Sequence, residues 1–167
     1  MSPVKYPLRA ALAVRGLPAS SRIRVEQIGA ALSPELAARA RRETRQNRRY
    51  RWLGSLPRHL ALARLAKSHL LVLSSKSEGG ANVISEAVAC RVPVLASDIP
   101  GSVGLLGKNY PGYFPVGDTR ALRALLLRSE TEPAFYQRLC AGVARVAPLF
   151  HPAREQDAWR KLLEELW

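Results

Sequence analysis

Apolar positions repeat with helical spacing in some segments of the chain and with strand spacing in others. Residues 7–17 are apolar at helical spacing, whereas residues 21–29 alternate polar and β-branched side chains as a half-buried strand does. Ser33 followed by Pro34 indicates a helix N-terminus, because serine caps free amides and proline fits the first helical position. The pattern predicts a helix, a strand and a second helix that ends near Asn47.

The same alternation continues through the middle of the chain. Residues 50–53 are predicted as a short strand, and Pro57 opens a predicted helix over residues 58–68. Residues 69–75 contain a continuous apolar run, which is typical of a strand buried on both faces of a parallel sheet. A further helix is predicted over residues 81–90.

The C-terminal part of the chain repeats these units. Strands are predicted at residues 92–98 and 112–116, and helices at residues 119–129, 132–150 and 152–167, with Asp118 as an N-cap. Alternating strands and helices predict an α/β fold, a Rossmann-like three-layer domain with a parallel sheet. The length of 167 residues suits one such domain, spanning residues 1–167.

Composition narrows the class of protein. The apolar fraction is 47%, yet no apolar stretch is long enough for a membrane span. Prolines and arginines interrupt residues 1–18, so no signal-peptide core is present and a cytoplasmic location is expected. Cys90 and Cys140 lack metal-site spacing and are expected to be small, buried or half-buried side chains. We expect no metal site.

The net charge of +13 suggests an anionic partner, and its densest run lies between Arg39 and Arg51. Such a run is also typical of a solvated helix face, and both readings stay open. A basic nucleic-acid-binding module is the alternative function, but Trp52, Tyr110 and Phe114 do not alternate with basic residues as a base-stacking platform would. We expect these rings to pack in the core or at its edge.

Residues 74–86, SSKSEGGANVISE, follow the apolar run and lead into a predicted helix, where open α/β sheets bind ligands. Gly79 and Gly80 let a ligand approach the backbone, and the next helix begins with unpaired amides that favour an anion. Glu78 and Glu86 are carboxylates suited to hydroxyl groups along an extended ligand. From these residues alone, an ordinary surface turn is an equally good interpretation.

The segment from Glu78 to Gly101, EGGANVISEAVACRVPVLASDIPG, resembles the E-x7-E signature of the family 4 glycosyltransferases, with Arg91 where glycine is common. The resemblance implies the C-terminal, donor-binding half of a GT-B enzyme with two Rossmann-like domains. It also implies that Glu78 faces the donor sugar and that Glu86 binds the ribose. Four further donor-binding residues follow from it, namely Gly79, Gly80, Ala81 and Asn82, with Val83 beside the diphosphate.

The same resemblance implies two more contacts. It places the nucleobase against residues 54–56, including Gly54 and Leu56, and it places Lys5 near the diphosphate. A cation there stabilises the charge that develops on the departing nucleotide. Glu78 and Lys5 are therefore the expected catalytic residues, and no cofactor is implied besides the nucleotide-sugar substrate.

A narrower likeness covers the segments VKYPLRAAL, RYRWLGSLP and DIPGSVGLLGKNYPGYFPVGDT, which resemble the selenosugar synthases of selenoneine biosynthesis. That likeness implies a UDP-sugar donor, UDP-N-acetylglucosamine, and selenophosphate as the small-molecule acceptor. The family's first strand, an arginine before the lysine and the whole acceptor domain have no counterpart ahead of Lys5. We therefore expect an incomplete catalyst, or a sugar-nucleotide-binding subunit that associates with an N-terminal-domain partner or with itself.

Overall fold

The computed structural model describes residues 7–150 together with Arg160, Leu163 and Glu164. The five strands are β1 Val25–Gln27, β2 Tyr50–Trp52, β3 Leu71–Leu73, β4 Val94–Ser97 and β5 Tyr113–Phe114. The helices are α1 Arg9–Arg15, α2 Pro34–Gln46, α3 Arg58–Ala66, α4 Asn82–Ala89, α5 Pro100–Leu106, α6 Thr119–Thr131 and α7 Pro133–Val146, followed by a 3-10 turn Ala147–Phe150. The helix predicted over 152–167 falls almost entirely outside the described residues.

The strands are all parallel, which confirms the predicted α/β fold. Among the described residues they form two sheets, β1 with β2 and β3–β4–β5 with β4 in the centre. Val25 lies opposite Tyr50 in the first sheet. Helices link successive strands within each sheet, as parallel pairing requires.

The predicted helix caps are confirmed. Ser33 Oγ accepts a hydrogen bond from the Leu36 amide at 3.2 Å. Asp118 accepts from the amides of Arg120 and Ala121 at 2.8 and 2.9 Å. Helix α5 was not anticipated from the sequence, because it is only seven residues long and its N-terminus has no side-chain cap.

The core surrounds β4, whose four residues are all buried. Buried side chains from α1, α4, α6 and α7 pack in the same cluster as this strand. The hydroxyl of Tyr110 accepts from the Val94 amide and donates to the Val94 carbonyl, both at 2.8 Å. This side chain thus satisfies both backbone hydrogen-bonding groups of Val94, the first residue of β4.

Strand β3 differs from its prediction. Its apolar run was expected to be buried on both faces, but Leu71 and Val72 are half-buried and only Leu73 is buried. The physical reason is its position, because within the described residues β3 pairs with β4 alone and forms the edge of its sheet.

The junction of α4 with β4 contains a residue in the left-handed region. The Val92 amide donates to the Ala87 carbonyl at 2.8 Å and the Arg91 amide donates to the Val88 carbonyl at 3.0 Å. This is the Schellman pattern, which places the residue after the C-cap in the left-handed conformation and favours glycine there. Arg91 occupies that position with φ 56°.

A polar network joins the first two helices. Arg15 donates two hydrogen bonds to Glu43, at 2.8 and 2.6 Å. Asn47 donates to the Ala11 carbonyl and to Glu43 Oε1 at 3.0 and 2.8 Å. The Arg49 guanidinium donates to backbone carbonyls before β1, including that of Pro18 at 2.8 Å. These contacts hold α1, α2 and the start of β1 together.

Candidate functional site

The predicted site residues follow the carboxyl ends of parallel strands. Residues 74–81 follow β3, residues 53–57 follow β2, and Asp98 follows β4. The carboxyl ends of parallel strands lie at the same edge of a sheet, which is where α/β folds bind ligands. A side-chain contact between the first residue of α3 and α4, described below, links the two sheets here.

The N-terminus of α4 presents free amides. Ala81 is the N-cap and provides no side-chain cap. Among residues 7–150, no group accepts a hydrogen bond from the amides of Asn82 and Val83. Unpaired amides at a helix start carry partial positive charge, so this end of α4 is suited to an anionic group such as a phosphate.

Three glycines near this end of α4 differ in their surroundings. A Cβ atom added at Gly79 or Gly80 would meet no described atom within 4 Å, and neither residue has a positive φ. A Cβ at Gly101 would lie 2.1 Å from the carbonyl oxygen of Glu78. Packing of α5 against the loop therefore requires Gly101, whereas nothing in the described protein requires glycine at 79 or 80.

The carboxylate of Glu78 is held by a buried serine. Ser75 Oγ donates to Glu78 Oε1 at 2.8 Å, and Ser75 is 0% exposed while Glu78 is half-buried. One carboxylate oxygen is thereby fixed. The hydrogen bond and the backbone contact with Gly101 together orient Glu78 relative to the start of α4.

Glu86 lies in the second half of α4 and pairs with the first residue of α3. Arg58 Nη2 donates to Glu86 Oε1 at 3.2 Å, with the Arg58 side chain 80% exposed and that of Glu86 30% exposed. Ion pairs this exposed contribute little to stability, so a ligand can compete for Glu86 at low cost. The contact joins α4 to the start of α3, which directly follows residues 53–57.

The loop after β2 has a defined conformation. Gly54 has φ 70°, a left-handed value that favours glycine, and its carbonyl accepts from the Gly29 amide at 2.7 Å. Leu56 is half-buried. The loop that the resemblance assigns to the nucleobase is thus hydrogen-bonded to the segment that follows β1.

The other predicted residues divide between core and surface. Ala81 is 5% exposed and belongs to the core, and Val83 packs against that core with a half-buried side chain. The side chain of Ala81 is thus not available to a ligand, whereas Asn82 is exposed. Lys5 lies outside the described residues, so its predicted contact with the diphosphate stays a prediction.

Ser75, Gly101 and Arg58 contribute to this region and were missed by sequence reasoning. Ser75 offered a weak signal, since it is a small polar residue directly after a strand. Gly101 entered the sequence analysis only as the end of the segment that resembles the family, and Arg58 only as a residue of the helix predicted over 58–68. Each role depends on a contact across the fold, which local spacing does not contain.

Asp98 and Tyr113 lie at the same edge of the sheet, after β4 and in β5. Asp98 is exposed, and burial together with the charge of Asp98 raises the pKa of Tyr113 to about 12. Tyr113 therefore stays protonated at neutral pH, and it donates to the Gly107 carbonyl at 2.9 Å. Within the described part of the chain, no three His, Cys, Asp or Glu side chains are grouped to hold a metal ion.

Three other expectations concern features outside this region. Cys90 and Cys140 are both half-buried free thiols, as predicted. Among the described helices, none has the length and apolar character that crossing a bilayer requires. Tyr110 and Phe114 are buried in the core, and the half-buried Trp52 donates from Nε1 to the Gly29 carbonyl at 2.9 Å, so these rings are packing groups as expected.

Comparison with characterised sequences identifies the family. The profile described as Glycosyl transferases group 1 matches residues 1–139. The putative teichuronic acid biosynthesis glycosyltransferase TuaC of Bacillus subtilis (strain 168) is 37% identical over 79 residues, which are 47% of this chain and 20% of TuaC. Glycosyltransferase 1 domain-containing protein 1 of Xenopus tropicalis is 31% identical over 112 residues, or 66% of this chain and 32% of that protein.

Solved structures show the same fold at lower identity. Anabaena Alr3699/HepE in complex with UDP-glucose superposes with a TM-score of 0.78 at 21% identity, over 99% of this chain and 46% of HepE. The chain therefore spans less than half the length of this structural relative and less than a third of each curated one. The chain belongs to the glycosyl transferases group 1 family, and its parallel α/β fold is consistent with the Rossmann-like C-terminal half of a GT-B glycosyltransferase.

Proposed function

We propose that this chain is the donor-binding half of a glycosyltransferase and that it binds a UDP-sugar between the β3–α4 loop and the β2–α3 loop. The observation that carries the proposal is the loop before α4, where Gly79 and Gly80 have open space and the helix start has free amides. A nucleotide diphosphate needs both backbone access and a positive helix end. HepE, which shares the fold, was solved with UDP and with UDP-glucose.

The residues have distinct roles in this proposal. The amides of Asn82 and Val83 bind the diphosphate, and Glu86 accepts hydrogen bonds from the ribose hydroxyls. Glu78, oriented by Ser75, binds hydroxyls of the donor sugar. Gly54 and Leu56 lie against the base.

The reaction breaks the bond between the anomeric carbon and the phosphate oxygen, and the electron pair leaves with UDP. The acceptor forms the new bond to that carbon. Negative charge grows on the departing diphosphate in the transition state, so the positive end of α4 and the side chain of Lys5 lower the barrier. The protein's contribution is orientation of the donor and stabilisation of the leaving group.

The proposed donor is UDP-N-acetylglucosamine and the proposed acceptor is selenophosphate, supported by the resemblance to selenosugar synthases. Transfer then replaces the anomeric C–O bond with a C–Se bond and releases UDP. Acceptor binding is assigned to an N-terminal domain on the same or another chain. The test is selenium NMR of a reaction with the full enzyme, in which phosphate replaces selenophosphate as the control.

Donor binding is tested separately, by calorimetric titration of this chain with UDP. We expect Glu86→Gln to weaken UDP binding about 10- to 100-fold, because hydrogen bonds to a charged group contribute about 1.5–3 kcal/mol. The same substitution should leave 2′,3′-dideoxy-UDP unchanged, since that ligand lacks the hydroxyls. Glu26→Gln is the matched control, because Glu26 is also paired to an arginine, Arg64, at 2.8 Å.

A second variant separates ligand contact from folding. Gly80→Ala places a methyl group in open space, so the free energy of unfolding should change little while UDP binding is lost. Equal UDP affinity in the parent chain, Glu86→Gln and Gly80→Ala would contradict the proposed site. If the chain binds UDP but the full enzyme forms no product with selenophosphate, the proposed donor site stands and the proposed acceptor is excluded.

A further inference from the structure

Helix α2 carries an arginine face that the donor site does not use. It carries Arg39, Arg41, Arg42 and Arg45, which are all exposed, and we call these four residues the arginine face. Arg41, Arg42 and Arg45 lie on the side of the helix opposite the buried residues Ala40 and Glu43, as the period of 3.6 residues requires, whereas Arg39 lies one turn before Glu43 and borders the groove toward α1. Arg48 and Arg51 continue the exposed charge beyond the helix.

The charge of this face is not neutralised by its surroundings. Residues 39–51 contain one acidic residue, Glu43, and its carboxylate is buried and already bound by Arg15 and Asn47. Among the described residues, Arg39, Arg42 and Arg45 have no hydrogen-bond or ion-pair partner. Exposed Glu35, in the first turn of α2, is the remaining acidic group on the helix. An external anion can therefore supply the counter-charge that these arginines lack within the described residues.

Apolar side chains lie beside these guanidinium groups. A groove of about 240 Å³ between α1 and α2 is lined by Leu8, Leu12, Arg15, Arg39, Arg42, Glu43 and Gln46. Leu12 is 40% exposed. A surface that combines arginines with accessible leucines suits a ligand that is both anionic and apolar, as a lipid headgroup region is.

Nucleic acid fits this face less well. Single strands bind where bases stack on accessible aromatic rings. The rings nearby are engaged, because Tyr50 is 3% exposed and the Arg41 guanidinium covers Trp52, 5.7 Å from the ring centroid. The face thus offers contacts to phosphates and to apolar groups, whereas Tyr50 and Trp52 do not offer it a free ring on which bases could stack.

We propose that the arginine face and the adjoining α1–α2 groove dock the protein on an anionic lipid surface. The arginines bind lipid phosphates, and Leu12 enters the boundary between headgroups and acyl chains. Helix α2 lies flat on the surface in this arrangement. The donor site, at the carboxyl ends of the strands, is formed by other residues and does not take part.

The test is co-sedimentation of the 167-residue chain with vesicles of phosphatidylcholine containing about 30 mol % phosphatidylglycerol, at low salt. Pure phosphatidylcholine vesicles should not bind the chain. The double variant Arg39→Gln with Arg42→Gln should lower the partition coefficient about 30-fold, since each arginine near an anionic surface contributes about fivefold. Glutamine keeps the helix propensity of arginine, and circular dichroism verifies the fold.

The matched control is the double variant Arg138→Gln with Arg145→Gln, which removes the same charge. These two exposed arginines lie on α7. They line a different groove, together with Asn109 and Pro111 of the α5–β5 loop. Less than a threefold change is expected for this pair. An equal loss in both double variants would mean that only net charge matters, and it would overturn the proposal.

Leu12→Gln distinguishes a lipid surface from another polyanion. It should lower vesicle binding about fivefold, because part of a leucine side chain no longer leaves water. It should not change the salt dependence. Absence of binding to anionic vesicles would also overturn the proposal, as would Leu12→Gln without effect combined with displacement of the vesicles by an oligonucleotide, which would assign the face to nucleic acid.

Discussion

The two halves of the fold are stabilised in different ways. The β3–β4–β5 half is packed around β4, where Val94, Leu95 and Ala96 are each 0% exposed. The β1–β2 half contains few fully buried apolar side chains, and its two strands show mixed burial. Polar contacts replace them, chiefly the bonds of Glu43 with Arg15 and Asn47 and the bonds of Arg49 with carbonyls before β1.

This difference matches what each half presents to solvent. The apolar half positions the loop before α4, where we propose that the UDP-sugar binds. The polar half carries the arginine face. Its buried polar groups, Glu43 and Asn47, hold α2 against α1, although the exposed arginines of α2 repel one another. A polar network depends on every member, because a lost partner leaves the others unsatisfied.

The largest effect is expected in the apolar half. Leu95→Ala should lower the free energy of unfolding by about 3 kcal/mol, because it removes a fully buried side chain and leaves a cavity. Urea unfolding followed by circular dichroism measures the change. Leu60→Ala is the control, since Leu60 is 46% exposed and its loss should change stability by less than about 0.5 kcal/mol.

A smaller loss is expected in the polar half. Glu43→Ala should lower the free energy of unfolding by about 2 kcal/mol, because Arg15 and Asn47 lose a shared acceptor while Arg15, 45% exposed, can still reach water. The control is Glu26→Ala, whose pair with Arg64 is exposed on both sides and should contribute less than about 0.5 kcal/mol. A loss for Glu43→Ala as small as that for Glu26→Ala would show that the network does not stabilise this half.

The smallest expected effect is a gain. Arg91→Gly should raise the free energy of unfolding by about 1 kcal/mol, because glycine adopts φ 56° without the steric cost that other residues pay there. Thermal unfolding measures the increase. The gain comes from the backbone conformation of one residue at the α4–β4 junction. Unchanged or lower stability would mean that the exposed Arg91 side chain makes a compensating contact.

Sequence patterns predicted the elements of the fold well, because each depends on local information. Ser33 and Asp118 were identified as caps, and the order of strands and helices fixed a parallel α/β fold. The burial of β3 was overestimated, since an apolar run shows what a strand prefers to contact and not how many neighbours it has. Helix α5 escaped prediction because its seven residues lack a cap and a clear period.

The candidate site was predicted in part. The loop between Glu78 and Glu86 was found from its glycines, its acids and the preceding strand. The contacts of these acids were not predictable, because Ser75 and Arg58 reach them by folding and not by sequence spacing. The role of Gly101 depends on the 2.1 Å approach of a hypothetical Cβ to the backbone of Glu78, which only the folded chain reveals.

The three glycines around the start of α4 should differ in how readily they are substituted during evolution. A side chain at position 101 would clash with the backbone of Glu78, so glycine should be kept there in every descendant that retains the fold. Positions 79 and 80 have room for larger residues, so under the proposed function only the donor ligand would keep them glycine. A lineage that kept the fold but abandoned the ligand would therefore accumulate substitutions at 79 and 80 while 101 remained unchanged.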